Sequence, residues 1–409
     1  MNDIFYDILP NGVQIVHKQV VSEVAYVGIM VGAGTRDEEA KLNGLAHYIE
    51  HCVFKGTKTR TAGQIINQIE GIGGEINAYT TKEETTFYAA TPVEHFAHTL
   101  HLIADLVLHP TFPKKETDKE LQVILDEIES YHDSPSELIY DDFEGLIFAG
   151  SELALPILGT TKTLHKIRQA DALTFIQTRY NPEQMVVFSQ SKLPMKSVVR
   201  EVHRCLSETP YLYTHAHERT AFVPSLETPS LSLKKRTHQT HMMLGGLAYP
   251  LGHEKQLTTY LLNNILGGGA LNSRLNMSLR EQRGLVYTVE STYTPLSDTG
   301  YWSVYFACDP EDQDRCLELV HQQLELLKQQ PLTKTQLERA ILQLRGQMAI
   351  AAENQENNAL AMAKNMLYFH KAPTWKETFA KIAQITSQQL CDVANELFDT
   401  ERTFLLSYR

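Results

Sequence analysis

Cysteine is scarce in this 409-residue chain and comes as an odd count of five: Cys52, Cys205, Cys308, Cys316 and Cys391. No two of them show the C-x-x-C spacing of a zinc knuckle or redox pair, so a disulfide framework is not expected. Five free thiols, mostly in the core, fit a reducing compartment. Long apolar runs are missing as well. None approaches the roughly 18–20 residues of a membrane span, so no membrane partner is expected. The start, Met1-Asn2-Asp3-Ile4, lacks the basic flank and apolar stretch of a secretory signal, which makes a cytoplasmic protein the expectation. Basic charge is also in deficit: 37 Lys+Arg stand against 49 Asp+Glu, a net charge of −12. Nucleic-acid binding needs a positive field facing the phosphates, and the densest basic stretch is only Lys234-Lys235-Arg236. No nucleic-acid partner is expected. Apolar material is not lacking. Hydrophobic residues make up 43% of the chain, enough to offset chain entropy over two cores of about 200 residues each.

The order of patterns along the chain gives the fold class. Ile4, Tyr6 and Ile8 alternate up to the turn Pro10-Asn11-Gly12, and Val13, Ile15 and His17 resume the alternation, which predicts a β-hairpin. Val24 to Val31 is a strand-like run closed by Gly32-Ala33-Gly34, and a helix should begin near Asn43. Gly71, Gly73 and Gly74 precede a strand pair, Glu75 to Thr80 and Glu84 to Ala90. Helices are expected from about Val93 to Leu108 and from about Lys114 to Tyr131, parted by His109-Pro110 and Pro113. Pro210, Pro224 and Pro229 mark 209–229 as a linker between an N-terminal domain, 1–208, and a C-terminal domain, 230–409. Beyond it, the strand-like run Thr240 to Tyr249, a polar turn, a helix from Gln256 to Leu266 and Gly267-Gly268-Gly269 repeat the order seen from Ile29 to Gly56. The expectation is an α+β chain of two similar domains, each a mainly antiparallel sheet packed with helices.

The stretch that carries chemistry runs from Gly44 to Phe54. Leu45, Tyr48, Ile49, Cys52 and Val53 recur at helical spacing and form one apolar stripe. His47, Glu50 and His51 lie on the other side of the same helix. Histidines at i and i+4 sit one turn apart and can share a tetrahedral zinc. Glu50, on the same face, can reach a water on that metal. Zinc lowers the water's pKa to near 7, and the carboxylate takes its proton. The bland alternative is an exposed polar helix face. In the later helix, Leu121, Leu125 and Ile128 form an apolar face, while Glu120 and Glu127 lie two turns apart beside Val123, Ile124 and Tyr131. A carboxylate next to apolar surface calls for a cation. Glu127 is thus the best candidate for a third ligand, and Glu120 could orient a ligand histidine. Both glutamates could instead be surface residues bonded to Lys or Arg.

His47-Tyr48-Ile49-Glu50-His51 matches the inverted zinc motif. With Gly44-Leu45-Ala46-His47 and Phe54-Lys55-Gly56-Thr57 it resembles the pitrilysin family of zinc metallopeptidases, in particular the β subunit of mitochondrial processing peptidase and its bacterial relatives. The resemblance places Glu127, within Ile124-Leu125-Asp126-Glu127, as the third ligand and Glu120 as the family's upstream glutamate. It likens Gly73-Gly74-Glu75-Ile76-Asn77-Ala78-Tyr79-Thr80 to an edge strand that peptide joins as a further strand, with Asn77 and Ala78 as contacts. A strand-edge or turn residue is the plain reading of Asn77. Within Leu279-Arg280-Glu281-Gln282-Arg283-Gly284-Leu285-Val286-Tyr287, the resemblance assigns Arg280 and Tyr287 to substrate. It implies one Zn2+ per chain and endopeptidase action on unfolded peptides. It also implies two domains that form half of a clamshell chamber, and pairing of two chains as a homodimer. The alternative is a non-catalytic peptide-binding subunit of a related heterodimer.

Overall fold

The computed structural model describes residues 4–209, 219–224, 227, 229–235 and 237–409. Of the expected linker, residues 210–218, 225, 226 and 228 lie outside these, as do residues 1–3 and Arg236. Strands β1 (Ile4–Ile8) and β2 (Gln14–Gln19) form the expected hairpin, with Ile4 opposite Lys18 and Ile8 opposite Gln14. Its turn requires glycine at position 12, where φ is +92° and a Cβ would stand 2.6 Å from Cγ of Glu183. With β3 (Val24–Val31), β4 (Glu75–Thr80), β5 (Thr85–Pro92) and β6 (Met185–Ser191) they make a six-stranded sheet, ordered β1-β2-β6-β3-β5-β4. Every pair is antiparallel except β2 with β6.

Both faces of this sheet are covered, which explains why β3 and β6 read as nearly continuous apolar runs rather than alternating ones. On one face Ile15, Val27, Ile29, Phe87 and Val187 pack with the helices Leu45–Cys52, Phe96–Leu108, Gln169–Arg179 and Met195–Leu206. On the other face Val16, Met30, Tyr88, Val186 and Phe188 are covered by Ala359, Met362, Ala363, Met366 and Leu367 of the helix Gln355–Phe369.

The second sheet has five strands: β7 (Ser230–Leu233), β8 (Thr240–Leu247), β9 (Val286–Pro295), β10 (Gly300–Cys308) and β11 (Phe404–Tyr408), ordered β7-β11-β8-β10-β9. Only β7 and β11 run parallel. Laid along the first sheet, β7, β11, β8, β10 and β9 fall on β2, β6, β3, β5 and β4 with the same pair directions. The second unit therefore repeats the first without its leading strand, as two similar domains require. One face packs Leu244, Trp302, Val304 and Phe306 against the helices Gln256–Gly267, Gln313–Gln329 and Ser387–Leu397. The other packs Met243, Tyr301, Tyr305 and Leu406 against Leu138, Ile139, Phe143 and Ile147 of the helix Pro135–Ile147.

The units interleave more than the expected halves. Unit 1 takes Met1–Glu129, Leu155–Thr220 and Ala351–Pro373; unit 2 takes Ser130–Ala154, Ala221–Ile350 and Thr374–Arg409. The departures from 1–208 and 230–409 have one cause: each sheet's second apolar face takes its covering helix from the other half of the sequence. Tyrosine–carboxylate hydrogen bonds hold both covers in place. Tyr88 donates to Glu356 and Tyr368 to Glu84, each at 2.6 Å, in unit 1. In unit 2 Tyr301 donates to Glu144 at 2.8 Å and Tyr408 to Asp142 at 2.7 Å. Among the described residues, no helix is long and apolar enough to cross a membrane.

Candidate metal centre

The helix Leu45–Cys52 is anchored before it begins. Glu38, buried, accepts from the backbone N–H of Gly44 at 2.8 Å, from that of Ala46 at 2.6 Å and from Asn43 Nδ2 at 3.1 Å. A carboxylate suits the positive end of a helix and satisfies donors that have no partner inside it. Burial pushes the Glu38 carboxyl up to about 8, against these three bonds. Gly44 enters the helix at φ +93°, and a Cβ there would lie 2.8 Å from the Leu158 carbonyl oxygen. Leu45, Tyr48, Ile49, Cys52 and Val53 are all buried, as their periodicity predicts.

His47, Glu50 and His51 leave the remaining face. The helix Lys114–His132 brings Glu127 to the two histidines: its Oε2 is 3.8 Å from His47 Nε2 and 3.5 Å from His51 Nε2. One ligand atom from each of His47, His51 and Glu127 lies within 4.8 Å of the others, and this group can hold a metal ion. Ile124 and Ile128 are the buried side chains that seat this stretch of helix, while Val123 is exposed. Glu120, two turns before Glu127, accepts from His51 Nδ1 at 3.0 Å and from Lys55 Nζ at 2.6 Å. In the neutral ring that bond places the proton on Nδ1 and leaves the Nε2 lone pair to a metal; in the protonated ring Nε2 faces Glu127 as a donor. Glu50 accepts a 2.9 Å hydrogen bond from the Thr80 hydroxyl at the end of β4.

The set suits zinc. Two ligands each about 2.0–2.1 Å from a tetrahedral ion stand about 3.4 Å apart, close to the two carboxylate–imidazole distances. Among the described residues His47 Nδ1 is buried without a hydrogen-bond partner, and Nε2 is the nitrogen that faces Glu127. Burial, with the His51 charge second, lowers His47 to about 4 and keeps it neutral at neutral pH. For His51 burial also acts downward, but the carboxylates of Glu127, Glu120 and Glu50 outweigh it and raise it above its ordinary value. Glu127 is held low by the His51 hydrogen bond, against burial. Glu50 is raised by burial, with the Thr80 bond opposing.

The other expected residues fall into two places. Asn77 and Ala78 lie on β4, the last strand of its sheet, so among the described residues one edge of their backbone has no strand beside it. Asn77 is exposed, and its Oδ1 accepts from the Ala78 N–H at 2.8 Å. Arg280 and Tyr287 belong to unit 2, where the guanidinium stands 5.5 Å over the Tyr287 ring. Tyr287 is 81% exposed on β9, the edge strand that corresponds to β4. Sequence reasoning missed three residues of the site. Lys55 carried a usable signal, four positions after His51 on the continuing helical stretch. Thr80 and Glu38 carried none, because their partners are set by tertiary structure.

Two family models cover most of the chain: "Insulinase (Peptidase family M16)" matches residues 14–161 and "Peptidase M16 inactive domain" residues 166–344. Over 399 residues the chain is 30% identical to the "Uncharacterized zinc protease YmxG" of Bacillus subtilis, covering 97% of this chain and 96% of that protein. It is 32% identical to an "Uncharacterized zinc protease" of Rickettsia bellii, covering 97% and 95%. A crystal structure of a protease from Helicobacter pylori has the same fold, with a TM-score of 0.92 over 100% of both chains at 20% identity. With both halves matched in order along one chain, this protein belongs to peptidase family M16, the insulinase or pitrilysin family.

Proposed function

We propose that this protein is a zinc-dependent endopeptidase that hydrolyses unfolded peptides. The observation that carries the reading is the convergence of His47, His51 and Glu127 with Glu50 one turn along the same helix as His47. The names of the curated relatives, zinc proteases, support it. His47, His51 and Glu127 would hold one zinc ion per chain. The bound ion supplies Lewis acidity, polarising a peptide carbonyl and acidifying a water. Glu50 accepts the water's proton and hands it to the departing amine; a carboxyl raised by burial suits a group that must both take and give a proton. Glu120, steadied by Lys55, holds His51 in orientation. The free edge of β4 offers main-chain donors and acceptors to an extended peptide, with Asn77 and Ala78 in contact, and such bonding demands little of the sequence bound. Arg280 and Tyr287 contact substrate. Two chains act together as a homodimer enclosing a chamber, which excludes folded proteins.

Glu50→Gln tests the reading. The variant should bind zinc as the wild type does and lose cleavage of an unstructured fluorogenic peptide by at least about a hundredfold. A variant that keeps zinc and cleaves at the wild-type rate overturns the assignment.

A further inference from the structure

Thr80 occupies a position with two neighbours of different kinds. Within β4, Ile76 and Ala78 turn toward the helical core and Asn77 away from it, so strand alternation points Thr80 toward the helices. There its hydroxyl donates to Glu50 Oε2 at 2.9 Å, and among the described residues it is the only hydrogen-bond donor to that carboxylate. On its backbone side, Thr80 pairs with Thr85 of β5 through one edge, while the other edge of β4 meets no strand among the described residues. One residue thus belongs both to the free sheet edge and to the carboxylate on the metal-site helix.

Glu50 has three rotatable bonds between its backbone and its carboxylate, and it is only partly buried. Left alone, the carboxylate would sample several rotamers, each separated from its neighbours by a small barrier. The Thr80 bond engages Oε2 and leaves Oε1 as the oxygen open to a water proton. A β-branched residue does this with little freedom of its own, because its χ1 is restricted on a strand.

We propose that Thr80 is a positioning residue. It holds the Glu50 carboxylate in the orientation used for proton transfer, and it ties that orientation to the strand edge on which an extended peptide lies. The inference rests on the peptidase reading above. It predicts that losing the hydroxyl slows turnover while leaving peptide affinity and zinc binding intact. A residue that merely filled space on the strand would show no such separation.

The experiment compares wild type, Thr80→Val, Thr80→Ser and Glu50→Gln. For each, zinc per chain, the melting temperature, and kcat and KM on one unstructured fluorogenic peptide are measured. Valine keeps the branched shape and strand preference and removes only the donor. Zinc content and melting temperature should match wild type in all three variants. Thr80→Val should lower kcat about tenfold, the effect of one hydrogen bond to a charged group, with KM changed less than about twofold. Thr80→Ser, which restores the donor, should recover most of that loss. A Thr80→Val protein with wild-type kcat overturns the proposal, and so does a Thr80→Ser protein as slow as the valine variant. A rise in KM at unchanged kcat overturns it too, by making Thr80 part of the binding edge alone. Wild type and Glu50→Gln separate the two levels: if wild type with zinc bound does not cleave, the peptidase reading fails, and if Glu50→Gln cleaves like wild type, the role of Glu50 fails; either takes the proposal with it. If Glu50→Gln is inactive while Thr80→Val is fully active, only the proposal fails.

Discussion

Replacing Glu120 by glutamine perturbs the site without touching a proposed ligand. Shape is kept and charge is lost. The native carboxylate bridges His51 Nδ1 at 3.0 Å and Lys55 Nζ at 2.6 Å, and its side chain is only 12% exposed. With the carboxylate present, the proton sits on Nδ1 and Nε2 is left to a metal. An amide accepts the same bond more weakly. It can also flip and present its N–H2 to Nδ1, which favours the opposite tautomer and blocks Nε2 with a proton. Loss of such an outer partner costs about 10–100-fold in metal affinity, or about 1.4–2.8 kcal/mol. The assay is the zinc dissociation constant by competition with a chromophoric chelator at neutral pH, beside thermal melting of the zinc-free protein. A dissociation constant within twofold of wild type refutes the orienting role. Collapse of the zinc-free fold refutes it as well, by assigning Glu120 to folding.

Two further outcomes follow from the same geometry. Gly44→Ala should destabilise the protein by about 1–3 kcal/mol in denaturant melts and weaken zinc binding with it. The cause is a Cβ placed at φ +93° and 2.8 Å from the Leu158 oxygen at the start of the helix that carries His47. Zinc affinity should also climb with pH and still be climbing above 6.5, because the carboxylates around His51 raise it above that ordinary value and zinc must displace its proton. The same raised group stabilises the zinc-free fold fully below 6.5, and that contribution fades as pH rises through the raised value. Titration of the chelator competition from mildly acidic to mildly alkaline pH reads the first effect, and melting of the zinc-free protein over the same range reads the second. A flat affinity profile above 6.5 contradicts the assignment.

What the sequence could disclose depended on the range of the interaction. The stripe from Leu45 to Val53 and the placement of His47, Glu50 and His51 follow from 3.6-residue periodicity alone, so they were legible. Glu127 was less legible: its line with Val123, Ile124 and Tyr131 left a surface residue bonded to Lys or Arg equally open, and the family resemblance singled it out beside the histidines that it approaches in the fold. The pairing of Thr80 with Glu50 spans 30 positions and that of Lys55 with Glu120 spans 65, and no local pattern encodes either. The exchange of covering helices was hidden for the same reason. The apolar face of Pro135–Ile147 would suit any flat apolar sheet, and only the assembled surfaces of β8, β10 and β11 decide which sheet it covers. The parallel pairing of β7 with β11 joins strands at opposite ends of the second half, beyond the reach of any turn signal.

The two units repeat an architecture but not its candidate metal ligands. The helix Lys334–Ala351 stands in the second half where Lys114–His132 stands in the first, each leading into an exchanged covering helix. Counted from the first residue of each, Glu120 corresponds to Ala340 and Glu127 to Gln347. The helix after β8, Gln256–Gly267, corresponds to Leu45–Cys52 and contains neither histidine nor carboxylate. A methyl group and an amide cannot replace two anions around a dication, and asparagine, threonine and leucine cannot replace imidazole. Among the described residues, the corresponding helices of the second unit thus lack the ligand side chains that His47, His51 and Glu127 offer in the first. In the second unit the edge strand β9 carries Tyr287, 81% exposed, with the Arg280 guanidinium 5.5 Å over its ring. Duplication of one fold, with the His47, His51 and Glu127 group in one unit and no such ligands at the corresponding described positions of the other, accounts for both the likeness of the two sheets and the unlikeness of their side chains.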